Sequence, residues 1–144
     1  MITVRRSTPE DARIMAETEA LCLDFPWTAE QIVYEINRSD GVCFTAEIDG
    51  EYAGHLSAEA FDGECETSNI AVVEKFRRRG VGQKLFEALF DEMRARGVSE
   101  IYILVRCDNA PAVNLYRKVG FEAVGKRKGY YKGLDGITMR KNLL

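Results

Sequence analysis

"RRRGVG", Arg77 to Gly82, joins two segments of different period. Before it stands "NIAVV" (Asn69 to Val73), a run of strand formers. After it, Val81, Leu85, Phe86, Leu89, Phe90 and Met93 fall on one helical stripe, with Gly97 as a natural stop. The junction therefore reads as strand, glycine turn, helix. Such a turn leaves the first N–H groups of the helix unpaired, and Gly80 and Gly82 let a large anion approach the main chain. The arginines add positive field. The same residues also suit a tight turn that packs a helix start, with its basic side chains in water. Two phosphate motifs are excluded: Leu85 stands where a dinucleotide fingerprint needs its third glycine, and no G-K-[ST] ends a Walker loop.

Outward from this junction the chain reads as alternating elements. "ITVRRS" is a first strand, and Thr8, Pro9 and Asp11 form a helix start with the capping-box pattern. That helix runs toward "ALCLDF" until Pro26 interrupts it, and "TAEQ" (Thr28 to Gln31) opens a second, which buries Ile32, Val33 and Ile36. "VCFTAEI", "YAGHLSAEAF" and "CETSNIAVV" follow as strands joined by two "DGE" turns, at Asp49 and Asp62, each a hairpin signal. Beyond the long helix, "EIYILV" is apolar or aromatic at nearly every position, as in a central strand covered on both faces. "DNAPAVNLYRKVG" is a helix opened by Asp108 or Asn109 and closed by Gly120, with Leu115 and Val119 as its anchoring face. "FEAVGKR" and "GITMRKNL" complete seven strands. The order β-α-α-β-β-β-α-β-α-β-β describes an α/β domain with a mixed sheet, without linker or internal repeat, so residues 1–144 read as one domain.

Composition narrows the function classes. The chain has 144 residues, 46% apolar and 30% charged, with a formal net charge of −3 and a pI of about 5.3. That balance excludes a general nucleic-acid binder, although a local basic pocket is compatible with it. Cys22, Cys43, Cys65 and Cys107 are widely spaced and His55 is the sole histidine. Neither a zinc site nor a disulfide framework is indicated, and a reduced, cytoplasmic setting is expected. "MITVRRSTPE" lacks the apolar core of a signal peptide, and no apolar run approaches the ~18 residues of a membrane span. No membrane association is expected, and the chain reads as a monomer or weak homodimer. His55 suits a satisfied structural residue, and the cysteines suit small core or surface residues.

"RRRGVG" fits the R/Q-x-x-G-x-G/A motif of the GNAT acetyltransferases. It follows "NIAVVEKF", and "RCDNAPAVNLYRKVGF" comes one helix and one strand later, as in that superfamily. Together with "KRKGYYKGLDGITM" and "FPWT" (Phe25 to Thr28), these pieces resemble the RimI-type ribosomal-protein-alanine N-acetyltransferases over most of the chain, most strongly from Asn69 to Met139. The resemblance implies the acyl-CoA N-acyltransferase fold, a mostly antiparallel seven-stranded sheet flanked by helices. It implies acetyl-CoA as cosubstrate, no metal, and a protein or peptide N-terminus as acceptor, a ribosomal protein among the candidates. Carried over residue by residue, Arg78, Arg79, Gly80, Val81, Gly82 and Gln83 cradle the pyrophosphate, with Arg77 beside them. Ile70, Ala71 and Val72 hold the pantetheine arm on a strand splayed from its neighbour, and the Val72 N–H faces the thioester oxygen. Asn109 contacts the cofactor, and Tyr116 protonates the leaving thiolate, a role that suits a phenol protonated at neutral pH. Read without the family, Asn109 is a helix cap and Tyr116 a core-edge aromatic. Phe25, Trp27, Tyr130 and Tyr131 line the acceptor side. Because adjacent strand residues face opposite ways, only one of the two tyrosines is expected to enter a pocket unless the chain turns there.

One position departs from the family. RimI-type enzymes carry a glutamate base two residues before the arginine of an "E-V-R" strand end, and here "ILVR" places Leu104 there. The histone-acetylating branch carries its base on the preceding strand, at the position of Glu66. Glu66, partly buried beside the acetyl site and acting through water, is the expected replacement, with Glu64 and a water chain along main-chain carbonyls as alternatives. Other readings remain open at this level: a small-molecule amine, polyamine or lysine as acceptor, or a non-catalytic acyl-CoA-binding regulator.

Overall fold

The structure is a computed structural model that describes all 144 residues. The elements, in chain order, are β1 (Ile2–Arg6), α1 (Ala12–Cys22), α2 (Ala29–Asn37), β2 (Gly41–Ile48), β3 (Glu51–Phe61), β4 (Glu64–Val72), α3 (Val81–Ala95), β5 (Glu100–Arg106), α4 (Ala110–Lys118), β6 (Glu122–Tyr131) and β7 (Leu134–Asn142). This is the order read from the sequence, with short 3-10 turns added at Pro9–Asp11 and Glu74–Phe76. The seven strands form one sheet, β1-β2-β3-β4-β5-β7-β6. Every pairing is antiparallel except β4 with β5, which α3 connects as the crossover that parallel strands require.

Local chemistry sets the boundaries. The Thr8 N–H donates to Asp11 Oδ2 at 2.7 Å, and Thr28 and Gln31 exchange both capping-box hydrogen bonds, at 2.8 and 3.2 Å. Asp49-Gly50 and Asp62-Gly63 turn with positive φ at both residues, as the tight hairpin type demands, and Lys132-Gly133 does the same between β6 and β7. The last hairpin extends β6 four residues past the "FEAVGKR" boundary expected from sequence.

Alternation along β2 assigns the two faces: Val42, Phe44, Ala46 and Ile48 join the large core beneath α3 and α4, while Cys43 joins Ala12, Met15 and Ile32 beneath α1 and α2. The whole predicted stripe of α3 is buried. Each large side chain so buried contributes roughly 1.5–3 kcal/mol relative to exposure. Two expectations change. The anchoring face of α4 is Val113 and Tyr116, with Leu115 and Val119 only partly buried. In β5 only Ile101, Ile103 and Val105 are buried, so the strand is covered on one face. Tyr102, Leu104 and Arg106 lie on the other face, where the sheet opens.

Candidate active site

The opening lies between β4 and β5. Their pairing runs from Glu64 opposite Glu100 to Thr67 opposite Ile103 and stops there, whereas β4 stays paired with β3 as far as Val72 opposite Gly54. Ser68 is an extra residue in β4, because Asn69 faces Ser57 and Thr67 faces the adjacent Ala58. Beyond this bulge the β5-facing side of β4 has no ladder partner. The direction of its groups follows from one peptide: the Val73 N–H donates to Ala53 of β3, so the Val72 carbonyl points away from β3. By strand alternation the Val72 N–H and both main-chain groups of Ile70 point the same way, into the gap, and those of Ala71 point to β3. Of the three β4 residues expected to meet the pantetheine arm, Ile70 and Val72 therefore turn main-chain groups into the gap, and of these the Val72 carbonyl is taken by side chains.

A cavity of about 330 Å³ occupies the gap, lined from Cys22 and Asn109 at one side to Glu66 and Tyr130 at the other. Thr67, 4% exposed, is among its lining residues, and its buried hydroxyl has no hydrogen-bond partner in the chain.

The Gly-rich turn follows. Arg78 and Gly80 both have positive φ, 60° and 89°, and Gly80 is the N-cap of α3. The first helical bond there is Lys84 N–H to Gly80 C=O, and no hydrogen bond within the chain engages the N–H groups of Val81, Gly82 or Gln83. These donors converge at the positive end of a 15-residue helix. Gly82 also meets a packing demand, since a Cβ there would lie 2.7 Å from Leu115 Cδ2. Gly80 thus meets a conformational demand and Gly82 a packing one. The arginines do not crowd the turn: the Arg79 guanidinium lies over the Phe76 ring at 5.6 Å. Arg77 folds back along β4, donating to the Val72 carbonyl at 3.3 Å and approaching Cys22 Sγ at 3.2 Å.

Asn109 caps α4, its Oδ1 accepting from the Ala112 N–H at 3.3 Å, and it borders the cavity as well. Tyr116 is 6% exposed, its ring edge-on to Phe86 and Phe121, and its hydroxyl has no partner in the chain. Burial, with a smaller contribution from Tyr131, pushes its phenol above the ordinary value, so it stays protonated well into the alkaline range.

At the far end, Phe25, Tyr130 and Tyr131 form one aromatic wall. Phe25 stacks on Tyr131 at 5.6 Å and meets Tyr130 edge-on at 5.7 Å, and the tyrosines are 5.0 Å apart. Both tyrosines line the cavity, contrary to strict strand alternation. The register slips between Arg127 and Tyr131, and Gly129 takes a φ of 67°, so the chain turns just before the pair. The Tyr131 hydroxyl donates to the Leu104 carbonyl at 3.3 Å, and burial raises its phenol. Trp27 is half-buried on the same side.

Glu66 borders the cavity but is exposed, opposite Glu59 on β3 and Tyr102 on β5. The part-burial expected from sequence is absent because alternation turns Cys65 and Thr67 inward and leaves Glu64 and Glu66 in solvent. Glu64 lies at the strand start, away from the cavity lining. Sequence reasoning missed two groups at this end. Asp24 bonds Arg106 across the mouth at 3.1 Å, joining residues 82 apart in sequence. Glu19, a helix position without a motif, lies buried behind Trp27. No group of three His, Cys, Asp or Glu side chains is placed to hold a metal ion, and no helix is long and apolar enough to cross a membrane.

The family model described as Acetyltransferase (GNAT) family matches residues 12–121. N-alpha-acetyltransferase RimI of Mycobacterium tuberculosis is 34% identical over 149 aligned positions, covering 98% of this chain and 92% of that protein. The [ribosomal protein bS18]-alanine N-acetyltransferase of Escherichia coli K12 is 33% identical over 113, covering 78% and 75%. The crystal structure of the Escherichia coli ribosomal-protein-S18-alanine N-acetyltransferase superposes with a TM-score of 0.89 at 28% identity, covering 99% of this chain and 94% of that one.

Proposed function

The chain belongs to the GNAT acetyltransferase family, and from that premise we propose that it transfers the acetyl group of acetyl-CoA to the α-amine at the N-terminus of a protein or peptide. Acetyl-CoA, when bound, supplies an acyl group activated as a thioester. The residues present fit it. The free N–H groups of Val81, Gly82 and Gln83 hold the pyrophosphate, with Arg78, Arg79 and Gly80 shaping the turn. The unpaired main chain of Ile70 and Val72 takes the pantetheine arm and the acetyl carbonyl. Arg77 releases the Val72 carbonyl when that arm arrives.

Three groups then act on the reacting atoms. The Val72 N–H, fixed in the gap, stabilises the negative charge that grows on the thioester oxygen as the amine attacks. Tyr116, kept protonated by its burial, gives its proton to the departing sulfur. Glu66 collects the amine proton through water. Its task is light, because an α-amine titrates near 8 and is partly neutral at pH 7, whereas a lysine near 10.4 is not. An exposed carboxylate suffices for such an acceptor, which accounts for leucine at position 104.

The observation that carries the choice of acceptor is the charge and shape of the far end. Glu59 is bound to Arg38 at 2.7 Å and Asp24 to Arg106 at 3.1 Å, so of these two carboxylates and Glu66, Glu66 alone lacks an ion partner. One free carboxylate suits one amine better than a polyamine, and the half-exposed Phe25 and Tyr130 offer an open aromatic wall for a following peptide unit. Alanine or serine is the expected first residue, by relation to proteins named for alanine acetylation. The test is a peptide that begins with alanine and contains an internal lysine, incubated with acetyl-CoA and mapped by mass spectrometry. Acetylation of the α-amine is expected, and predominant lysine modification would remove the N-terminal assignment.

A further inference from the structure

Behind the acceptor end lies a buried polar cluster that the transfer chemistry leaves unused. Glu19 of α1 and His55 of β3 are both 0% exposed. Glu19 Oε1 accepts from the Trp27 main-chain N–H at 2.8 Å and from the Asn69 side-chain amide at 2.9 Å. Its Oε2 meets His55 Nε2 at 2.7 Å, and His55 Nδ1 meets the Tyr52 hydroxyl at 2.6 Å. The Nε2–H tautomer satisfies the whole set: His55 donates to Glu19, and Tyr52 donates to His55. One carboxylate thus joins four elements, namely α1, the loop carrying Phe25 to Trp27, β4 and β3.

Its location matters more than its bond count. Asn69 immediately follows the bulge at Ser68, where β4 loses β5, and immediately precedes Ile70. Trp27 belongs to the acceptor-side lining. The two substrates meet between these two segments, and neither segment has a ladder partner on its cleft side. We infer that Glu19 is a positioning residue that sets the spacing between the acceptor wall at Trp27 and the acetyl-bearing strand at Asn69–Val72, with His55 and Tyr52 fixing its second oxygen. Glu19 does not line the cavity between β4 and β5 and touches no reacting atom. It acts through Trp27 and Asn69, and small misplacements of reactants lower rates steeply.

Trp27 is the only tryptophan in the chain, so the clamp has a readout that needs no substrate. The experiment compares wild type, Glu19→Ala, Glu19→Gln and Met93→Ala, the last being a cavity variant in the core beneath α3, on which Trp27 does not pack. Glu19→Ala is expected to raise acrylamide quenching of Trp27 fluorescence about twofold as the loop loses its anchor. It should also lower kcat/KM for the acceptor peptide about 30-fold, with the Kd for acetyl-CoA nearly unchanged. Glu19→Gln should restore both to within about threefold, because its carbonyl still serves Trp27 and Asn69 while His55 shifts its proton to Nδ1 and accepts from the amide. Met93→Ala should lower Tm without either effect. Should Glu19→Ala fail to fold, Glu19→Leu/His55→Phe fills the volume with apolar groups, a replacement that buried pairs tolerate, and the same losses are expected. If the clamp-less variant matches Met93→Ala in both readouts, Glu19 is a structural residue and the inference is overturned. The kinetic arm rests on the acetyl-transfer reading, but the quenching arm does not. If wild type acetylates no peptide, that reading fails, and the Trp27 readout still decides the clamp.

Discussion

The two ends of the cleft between β4 and β5 are built from different material. The end proposed for acetyl-CoA is made of main chain: the free N–H groups of Val81 to Gln83 and the groups of Ile70 and Val72 that no β5 ladder engages. The end proposed for the acceptor is made of side chains drawn from distant elements, with Phe25 from the α1–α2 loop, Tyr130 and Tyr131 from β6, and Glu66 from β4. The contrast teaches where substitutions bite. A main-chain cradle tolerates most changes of side chain but not of backbone conformation, so Gly80, with its positive φ, is its sensitive point and the arginines are not. A side-chain wall can be rebuilt one residue at a time, which is how one fold serves different acceptors.

The largest expected effect falls where the two ends meet. Tyr116→Phe removes the proton donor without disturbing the ring packing on Phe86 and Phe121, and should lower kcat by about 100-fold while the Kd for acetyl-CoA stays unchanged. Steady-state rates and calorimetry check this together, and an unchanged kcat would leave Tyr116 as packing alone. The direction of its pKa adds a test of sign. Because burial raises the phenol, the protonated donor persists as pH rises, and wild-type kcat should show no alkaline fall up to about pH 10.

A smaller effect sharpens the acceptor end. Glu66→Gln should lower kcat/KM about fivefold near pH 6.5, where the α-amine is mostly protonated, and the gap should close toward pH 8.5 as neutral amine becomes abundant. Glu64→Gln, outside the cavity lining, should follow wild type throughout. The paired pH–rate profiles decide this. Coincidence of the Glu66→Gln and wild-type curves would assign the proton to another route.

The same contrast between main chain and side chain explains what could be read from the sequence. Capping residues, Asp-Gly hairpins, the α3 stripe and the glycine turn act over a few residues, so the element order and the turn at the start of α3 were legible. The family pattern supplied the splay and the roles proposed for Ile70, Val72 and Tyr116, which composition and period alone leave as an ordinary strand and a core-edge aromatic. The acceptor end was legible only in part. A bulge and a turn at Gly129 bring both tyrosines to one side, and alternation alone predicts the reverse. β5 looked covered on both faces because its sequence is apolar throughout, yet the cavity lies against one of them. The Glu19–His55 bond joins residues 36 apart and the Arg106–Asp24 bond joins residues 82 apart, and neither leaves a local pattern.

The central claim is that one cleft receives acetyl-CoA at its main-chain end and a peptide N-terminus at its side-chain end. A conjugate with coenzyme A linked through an acetyl bridge to the α-nitrogen of an alanine-first peptide spans both ends in one molecule. Its Kd, measured by calorimetry, should be about 100-fold lower than that of acetyl-CoA, since linkage turns the second contact into an intramolecular one. Gly80→Glu and Tyr130→Ala should each weaken it by about tenfold, and only the former should also weaken acetyl-CoA itself. A conjugate that binds no tighter than acetyl-CoA, and ignores Tyr130→Ala, would contradict a shared cleft.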